Sequence, residues 1–435
     1  MRYRQMKKMA LGWMIILLSV AACSKNGGGS DEEARITDMS LDKTSLSLYT
    51  TDRERLTTIT SPSGIFSTKW TTSDKEVAVV DEKGAVKATG AGTAVITATI
   101  GGKSATCQVE VNPAVFVAGY NSWDDEIFLW KNGKRWILNE NQYASIEDMA
   151  IYEGDVYLAG SRKSSTYGAK AILLKLSATI PGEQPHANDE EQYVMETTGR
   201  YSTGYGVFVA NGDMYVCGEE NFLREGYTNS YYRRATLWKN GKAQHLTNNT
   251  SGDSYYSARS VFVSGNDVYV VGQENKRAAL WKNGVHKELV CEGTTFVSTY
   301  DLSSAAAVFV SGSDVYVAGV GSFPSSVPSL NMPDHKAILW KNGVAQILHP
   351  SSYANSVYVS GSDVYVAGSA GAIWKNGALL QAIEKEPALS SISVYGDDVY
   401  VAGRDSNGNI LWKNGMVQEI EGGIGANSIC SVIVK

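Results

Sequence analysis

The residues best suited to chemistry in this 435-residue chain are few and scattered. His186, His245, His286, His335 and His349 stand apart from one another. None falls in a His-x-His or His-Glu-x-x-His arrangement, so the spacing that holds a zinc ion is absent. No Gly-x-Ser-x-Gly elbow or phosphate-binding glycine loop occurs. Acidic runs stand at Asp124-Asp125-Glu126 and Asp189-Glu190-Glu191. A glycosidase needs two carboxylates set across the sugar bond; a solvated charge run is the simpler reading of both stretches. No catalytic residue, metal or cofactor is expected. The irregular stretches do concentrate aromatic side chains: Trp123, Phe222, Tyr227, Tyr231, Tyr232, Tyr255, Tyr256 and Phe323. Such rings give large contact area at low entropic cost, and tyrosine adds a hydroxyl. These are the candidate ligand-binding residues, for a glycan or a protein. The plainer alternative is that they pin long loops to a scaffold.

A repeated unit must position them. From residue 113 onward a strand reading VYVAG, or a close variant, ends at Gly119, Gly160, Gly218, Gly272, Gly319, Gly368 and Gly403. A following strand, LWKNG, ends at Gly133, Gly241, Gly284, Gly343, Gly377 and Gly415, and degenerates to Leu173-Leu174-Lys175-Leu176-Ser177 in the second unit. The Asn-Gly pair suits a type I′ hairpin, because both central residues need positive φ. Units of four strands over roughly 35 to 58 residues match β-propeller blades. Strands such as Val364-Tyr365-Val366 are apolar on both faces, as sheets stacked between neighbours require. The first unit lacks its first strand, and Ala426 to Val434 aligns with the first strand beginning at Ala354. A seven-bladed propeller over 113–435, closed by the C-terminal strand, is therefore expected; such a clasp removes two exposed edges.

Residues that recur in most units read as scaffold. Asp155, Asp213, Asp267, Asp314, Asp363 and Asp398 precede the VYVAG strand and suggest Asx-type turns. Trp130, Trp238, Trp281, Trp340, Trp374 and Trp412 suggest packing between units. Lys131, Lys239, Lys282, Lys341, Lys375 and Lys413 are expected to be solvated. The long insertions, 120–126, 161–168, 178–205, 219–234, 245–259, 290–306 and 320–336, are all expected on one rim, where a rigid scaffold would present them for binding. The units lack the signatures of WD, kelch and sialidase repeats, and resemble those families in architecture alone.

Short alternating strands also fill 35–112, as in a β-sandwich. The text KWTTSDKEVAVVDEKGAVKATGAGTAVITATIGGKSATCQVEV, with Trp70-Thr71-Thr72-Ser73, Val77 to Asp81 and Gly90-Ala91-Gly92-Thr93, resembles the bacterial immunoglobulin-like group 2 domain. The resemblance implies a spacer or adhesion module, with Trp70 as a core anchor.

The N-terminus reads as a processing signal. Arg2, Arg4, Lys7 and Lys8 precede an apolar run from Met9 to Ala22, too short for the roughly 20 residues that span a bilayer. Val20-Ala21-Ala22-Cys23 resembles a bacterial lipobox, which implies that residues 1–22 are removed and Cys23 carries the lipid anchor. Residues 23–34 form a polar, glycine-rich tether. Lys25 followed by Asp31-Glu32-Glu33 resembles the surface-export signal of Bacteroidetes lipoproteins, with glycines interrupting it. Without the leader, 35 of the 39 basic residues remain against 45 acidic ones, a formal charge of −10. That balance excludes a nucleic-acid partner, which needs a concentrated basic patch. Cys107, Cys217, Cys291 and Cys430 read as small apolar residues. The chain is thus expected to be an all-β, outer-membrane lipoprotein, surface-displayed or periplasm-facing, that binds a glycan or protein and meets the membrane only through its lipid. An extracellular enzyme acting on polysaccharide and a structural component of an envelope assembly are the alternatives.

Overall fold

The computed structural model describes residues 36–121, 126–138, 144–164, 168–176, 190–250, 255–294, 303–325, 333–350, 353–406, 408–422 and 427–435. Cys23, Trp123, His186 and the acidic residues 124, 125 and 189 lie outside them.

The first module is an immunoglobulin-like sandwich. One sheet runs Ser45–Tyr49, Lys103–Asn112, Gly92–Ile100, Lys69–Thr72, with Ser45–Tyr49 parallel to its neighbour. Arg53–Arg55, Ala85–Ala88 and Ala78–Val80 form a second sheet, and Asp38–Leu41 pairs with Thr58–Ser61. Strand periodicity sorts the residues: Ala94, Ile96, Ala98 and Ile100 alternate into the core beside Leu56, Val86 and Cys107. Trp70 packs against the margin of that core, partly buried.

The remainder forms, among the described residues, seven four-stranded antiparallel sheets. In the second to seventh repeats the strands follow sequence order. The second is Ala144–Tyr152, Asp155–Ser164, Gly168–Leu176, Glu190–Val194; the third Tyr201–Ala210, Asp213–Leu223, Tyr231–Lys239, Lys242–His245. The fourth is Tyr256–Ser264, Asp267–Glu274, Arg277–Lys282, Val285–Glu288; the fifth Ser304–Ser311, Asp314–Phe323, Asp334–Lys341, Val344–Pro350. The sixth is Ala354–Ser360, Asp363–Gly368, Ala372–Lys375, Ala378–Ala382; the seventh Ala388–Tyr395, Asp398–Asp405, Gly408–Lys413, Met416–Gln418. The first repeat combines Val115–Asn121, Glu126–Lys131 and Lys134–Ile137 with the C-terminal strand Asn427–Val434, which pairs from Val115↔Val434 to Asn121↔Asn427. Each first strand touches the first strand of the next repeat, and Asn427–Val434 touches both Ala388–Tyr395 and Ala144–Tyr152.

The glycine ending VYVAG has a steric cause. Every first strand carries a β-bulge opposite it, as between Gly204 and Gly206. There the backbone carbonyl of the first strand occupies the space of a side chain. A Cβ on Gly218 would stand 1.8 Å from the Thr203 oxygen, and one on Gly368 2.0 Å from the Tyr353 oxygen.

Tryptophans hold the sheets face to face. Trp238 is buried against Tyr157, Ala159 and Leu173 of the preceding sheet, and Trp281 against Tyr215, Cys217 and Leu237. Trp340, Trp374 and Trp412 repeat the arrangement. Leu174 takes the indole's place in the second repeat, against Phe116 and Leu129. Trp130 of the first repeat packs on Tyr400, Ala402 and Leu411 of the seventh. Its indole N–H donates to the Glu421 carbonyl at 2.9 Å, as Trp238 does to Glu196 at 2.7 Å. Removing such a side chain costs about 3–5 kcal/mol.

The recurring lysines are not simply solvated, and the recurring aspartates do more than shape their own turns. Asp213 Oδ2 is 2.6 Å from Lys239, and Asp213 Oδ1 accepts from Asn240 at 2.7 Å. Asn240 in turn accepts the Met214 N–H at 2.8 Å. The set recurs at Asp267, Asp314, Asp363 and Asp398, so the carboxylate joins the two hairpins at one end of each sheet. The first repeat has no turn aspartate, because its first strand arrives from the C-terminus. There Lys131 pairs with Asp52 of the immunoglobulin-like domain and donates to the Thr51 hydroxyl at 3.3 Å. Thr50 Oγ1 accepts the Ala114 N–H at 3.0 Å and donates to the Lys435 carbonyl, and Lys87 donates to the Glu153 carbonyl at 2.9 Å. The immunoglobulin-like domain therefore rests on the tight-turn end and supplies the missing carboxylate.

The expected confinement of every insertion to one rim needs correction. The fourth strand of the second repeat is Glu190–Val194, and Leu176 pairs with Glu190. Of residues 178–205, assigned from sequence to a connection between repeats, those before Glu190 instead fall between the third strand, which ends at Leu176, and the fourth. Sequence misplaced them because the degenerate LLKLS strand lacks its Asn-Gly turn.

Two predictions follow from these ties. Asp52 and Lys131 are nearly enclosed, with side chains 8% and 11% exposed. Asp52→Ala should destabilise the repeat module by about 3–5 kcal/mol, since it strands a buried cation, whereas Asp213→Ala, at a more exposed and solvent-screened pair, should cost far less; thermal unfolding compares them. Asp148 accepts from Met149 N–H at 2.8 Å, Val207 N–H at 3.1 Å and the Ser431 hydroxyl at 3.2 Å, tying three repeats together. Burial pushes its carboxyl from 3.8 up to about 6 despite those donors. The folded state therefore holds this proton more tightly than the unfolded one. Its contribution is greatest below about pH 4 and is lost as pH rises through about 6, by on the order of 3 kcal/mol. Asp148→Asn should flatten that part of the stability profile; an unchanged slope between pH 4 and 7 would refute the assignment.

Candidate functional site

The two ends of the sheets differ. One carries the Asp-Lys-Asn turns, and the other the variable connections between second and third strands and between repeats. Among the described residues, the second strand of the third repeat runs furthest past its glycine toward the latter. It runs on to Leu223, whereas that of the sixth stops at Gly368, the counterpart of Gly218. The difference lifts the hairpin by roughly 16 Å at about 3.3 Å per residue.

Cross-strand register sets the side chains on this hairpin. Phe222 opposes Tyr232, and Glu220 opposes Arg234. Phe222 and Tyr232 stack with centroids 5.2 Å apart and planes at 11°. The Arg234 guanidinium lies 4.8 Å from the Phe222 centroid and 5.4 Å from that of Tyr232. His245 meets Phe222 edge-on at 5.5 Å. Its Nε2 is 2.7 Å from Glu220 Oε2 and its Nδ1 3.4 Å from Arg234 Nη1. That network suits the tautomer in which Nε2–H donates to the carboxylate and Nδ1 accepts from the guanidinium. Glu220 is wholly buried. It accepts from the Thr198 and Gly199 N–H groups at 3.0 and 3.2 Å, and from the Thr197 and Thr236 hydroxyls. Glu220 thus anchors the connection from the second repeat beneath the hairpin.

At the tip, Arg224 lies 4.9 Å from the ring of Tyr227, which is 55% exposed. Below it Arg200 sits 5.6 Å from Tyr201 and 5.9 Å from Tyr231, two rings in edge contact at 5.4 Å. Nearer the inner strands, the bulged residues Tyr205 and Arg259 meet with the guanidinium 4.1 Å from the ring centroid. Burial, reinforced by the Glu219 carboxylate, pushes the Tyr205 phenol up to about 12, and burial also raises the Glu147 carboxyl, against the pull of Arg259. Glu219 Oε1 is 3.4 Å from Arg233, while its buried Oε2 has no hydrogen-bond partner.

The structure brings Phe222, Tyr227, Tyr231 and Tyr232 together on one hairpin. Tyr255 stands on the fourth repeat beneath Lys276 at 4.9 Å, and Tyr256 is half-buried beside it at the start of its strand. Phe323 belongs to the core instead: it is 5% exposed and packs with Cys291 and Ile338. Arg200, Arg224, Arg234, His245 and Glu220 were missed from sequence. Their only sequence signal was an Arg or His within a few residues of a loop aromatic. Among the described residues no group of three His, Cys, Asp or Glu is placed to hold a metal ion. A groove of about 890 Å³ lies apart from this end, in the immunoglobulin-like domain beside Phe66, Trp70 and Lys83. The chemistry the rim offers is contact by planar cations and rings.

Glu220→Ala should destabilise the protein by about 3 kcal/mol or more, because several buried donors lose their acceptor together. Chemical denaturation checks this, and His245→Ala, which leaves the backbone donors satisfied, should cost distinctly less.

Comparison with known proteins assigns the first module. No curated protein matches the chain. Among solved structures the chain is similar to apo AztD from Citrobacter koseri, at 10% identity over 74% of this chain and 97% of that one, TM-score 0.37. It is similar to Drosophila Semaphorin 1b extracellular domains 1-2, at 8% identity over 68% and 84%, TM-score 0.38. A putative 6-phosphogluconolactonase from Bacteroides fragilis matches at 9% identity over 74% and 98%, TM-score 0.32. Likenesses of this strength have no bearing on function. Residues 35–110 match the bacterial Ig-like domain (group 2) family, and that segment is such a domain.

Proposed function

We propose that this protein is a lipid-anchored, extracytoplasmic binding protein. In this reading the seven sheets are the blades of a β-propeller closed by the C-terminal strand, and the ligand is a glycan or a protein taken at the elaborated rim. The anchor at Cys23 and an outer-membrane location follow from the leader and lipobox resemblance. Closure is supported by the cycle of first-strand contacts and by Trp130 packing on the seventh repeat. The observation that carries the binding assignment is the division between the two ends. The immunoglobulin-like domain occupies the tight-turn end through Asp52 and Thr50, which leaves the projecting aromatic and arginine-bearing hairpin at the opposite end clear of that domain. Docked in this way, the first module acts as a rigid base between tether and propeller rather than as a loose spacer.

The test is to replace residues 221–233 by a two-residue Asn-Gly turn and probe both chains against arrayed glycans and envelope proteins. Binding should be lost at an unchanged melting temperature. Equal binding by the shortened chain would place recognition elsewhere, and release of reducing sugar by the intact chain would replace binding with hydrolysis.

A further inference from the structure

Three cations of the elaborated end differ in one respect from those of the tight-turn end. On the tight-turn end Lys239, Lys282, Lys341, Lys375 and Lys413 lie 5.1–5.3 Å from a tyrosine centroid. Each is neutralised by an aspartate at 2.6–2.7 Å. The same cation-on-ring unit recurs at the elaborated end with arginine: Arg224 on Tyr227, Arg234 on Phe222 and Tyr232, Arg200 beside Tyr201 and Tyr231. Among the described residues none of these three arginines has a carboxylate within ion-pair distance. The buried acids nearby are engaged: Glu220 by His245 and the donors of the underlying connection, Glu219 by Arg233. Glu225 at the tip is exposed and is left as the one free carboxylate of the turn.

We infer that the missing counter-charge belongs to the ligand, and that Arg200, Arg224 and Arg234 bind an acidic polysaccharide bearing carboxylate or sulfate groups. This rests on the elaborated rim being the recognition surface. A guanidinium supported on a ring is a planar fork held in place, matched to the paired oxygens of such anions. The rings beside it offer a flat apolar surface to the face of a sugar. Three such units, two on the rising hairpin and Arg200 on the connection whose backbone N–H donates to the Asn221 carbonyl of that hairpin, suit a polymer with recurring charge better than a single small anion. They also form a local cationic patch on a chain whose formal charge is −6.

The experiment measures binding of the chain from residue 24 onward to polygalacturonate, chondroitin sulfate, neutral dextran and poly-glutamate. The acidic polysaccharides should bind and the dextran should not, with affinity falling at least tenfold between 0.05 and 0.5 M salt as screening grows. Changing Arg200, Arg224 and Arg234 to Gln should lower affinity at least tenfold at an unchanged melting temperature. Lys at the three positions should restore only part, since charge returns without the fork. Arg224→Gln alone, at the tip, should weaken binding several-fold, and serves if the triple variant fails to fold. Dextran binding that the arginine changes do not touch would keep the rim as a recognition surface and overturn its acidic preference. Tighter binding of poly-glutamate would overturn the polysaccharide class, and acidic-polymer binding indifferent to all the variants would overturn the site.

Discussion

A four-stranded sheet of this sequence cannot exist alone, because both of its faces are apolar. Val364, Tyr365 and Val366 are all buried, yet successive side chains point to opposite sides. The only way to remove both faces from water is to stack sheet on sheet, and the indole of the LWKNG strand is the group that fills the gap. At Trp130, Trp238 and Trp340 the ring N–H also captures the chain as it leaves the preceding repeat. Everything else in the repeat module is arranged around that burial. The bulge and its glycine let the first strand twist, and serine or aspartate side chains reach from one first strand to the next backbone, as Ser260 does to Val308 and Ser391 to Val432.

Stacking also separates the two ends. At the tight-turn end the hairpin pairs of the third to seventh repeats are stitched by Asp, Lys and Asn, so charge is neutralised within the repeat and little is left to attract a partner. That end can therefore carry another folded module at small electrostatic cost. The immunoglobulin-like domain does so where one stitch is incomplete, with Asp52 in the position of the absent turn aspartate. At the other end chain length and composition vary from repeat to repeat, and Arg200, Arg224 and Arg234 rest on rings rather than on carboxylates. One end thereby serves assembly of the molecule, and the other is the end proposed above as the recognition surface.

Much of this was legible in the residues. The VYVAG and LWKNG strands, their tight turns and the pairing of the C-terminal strand with Val115–Asn121 could be read because each depends on a pattern within a dozen residues, or on one segment's likeness to another. The aromatic cluster at Phe222, Tyr227, Tyr231 and Tyr232 was legible as a composition bias. Its chemistry was not, because the arginines that top it and the His245–Glu220 pair come from different strands and meet only through register. Phe323 carried the same sequence signal as Phe222 and ended in the core, since the segment near Cys291 folds over it. The connection assigned to 178–205 was misplaced in part for a related reason: without an Asn-Gly pair, nothing local marks where a third strand turns back.

Local sequence alone determined that the chain is all-β, that it contains an immunoglobulin-like module followed by a repeated four-stranded unit, and where most hairpins turn. Strand alternation and type I′ turn chemistry act over a few residues and need no distant partner. Tertiary structure decided which charges are neutralised, which aromatic rings stay exposed, and that Lys131 finds its carboxylate 79 residues away in another module. Those outcomes depend on which surfaces meet once the sheets stack, and burial and Coulombic pairing are set by distance in space, to which separation along the chain is no guide.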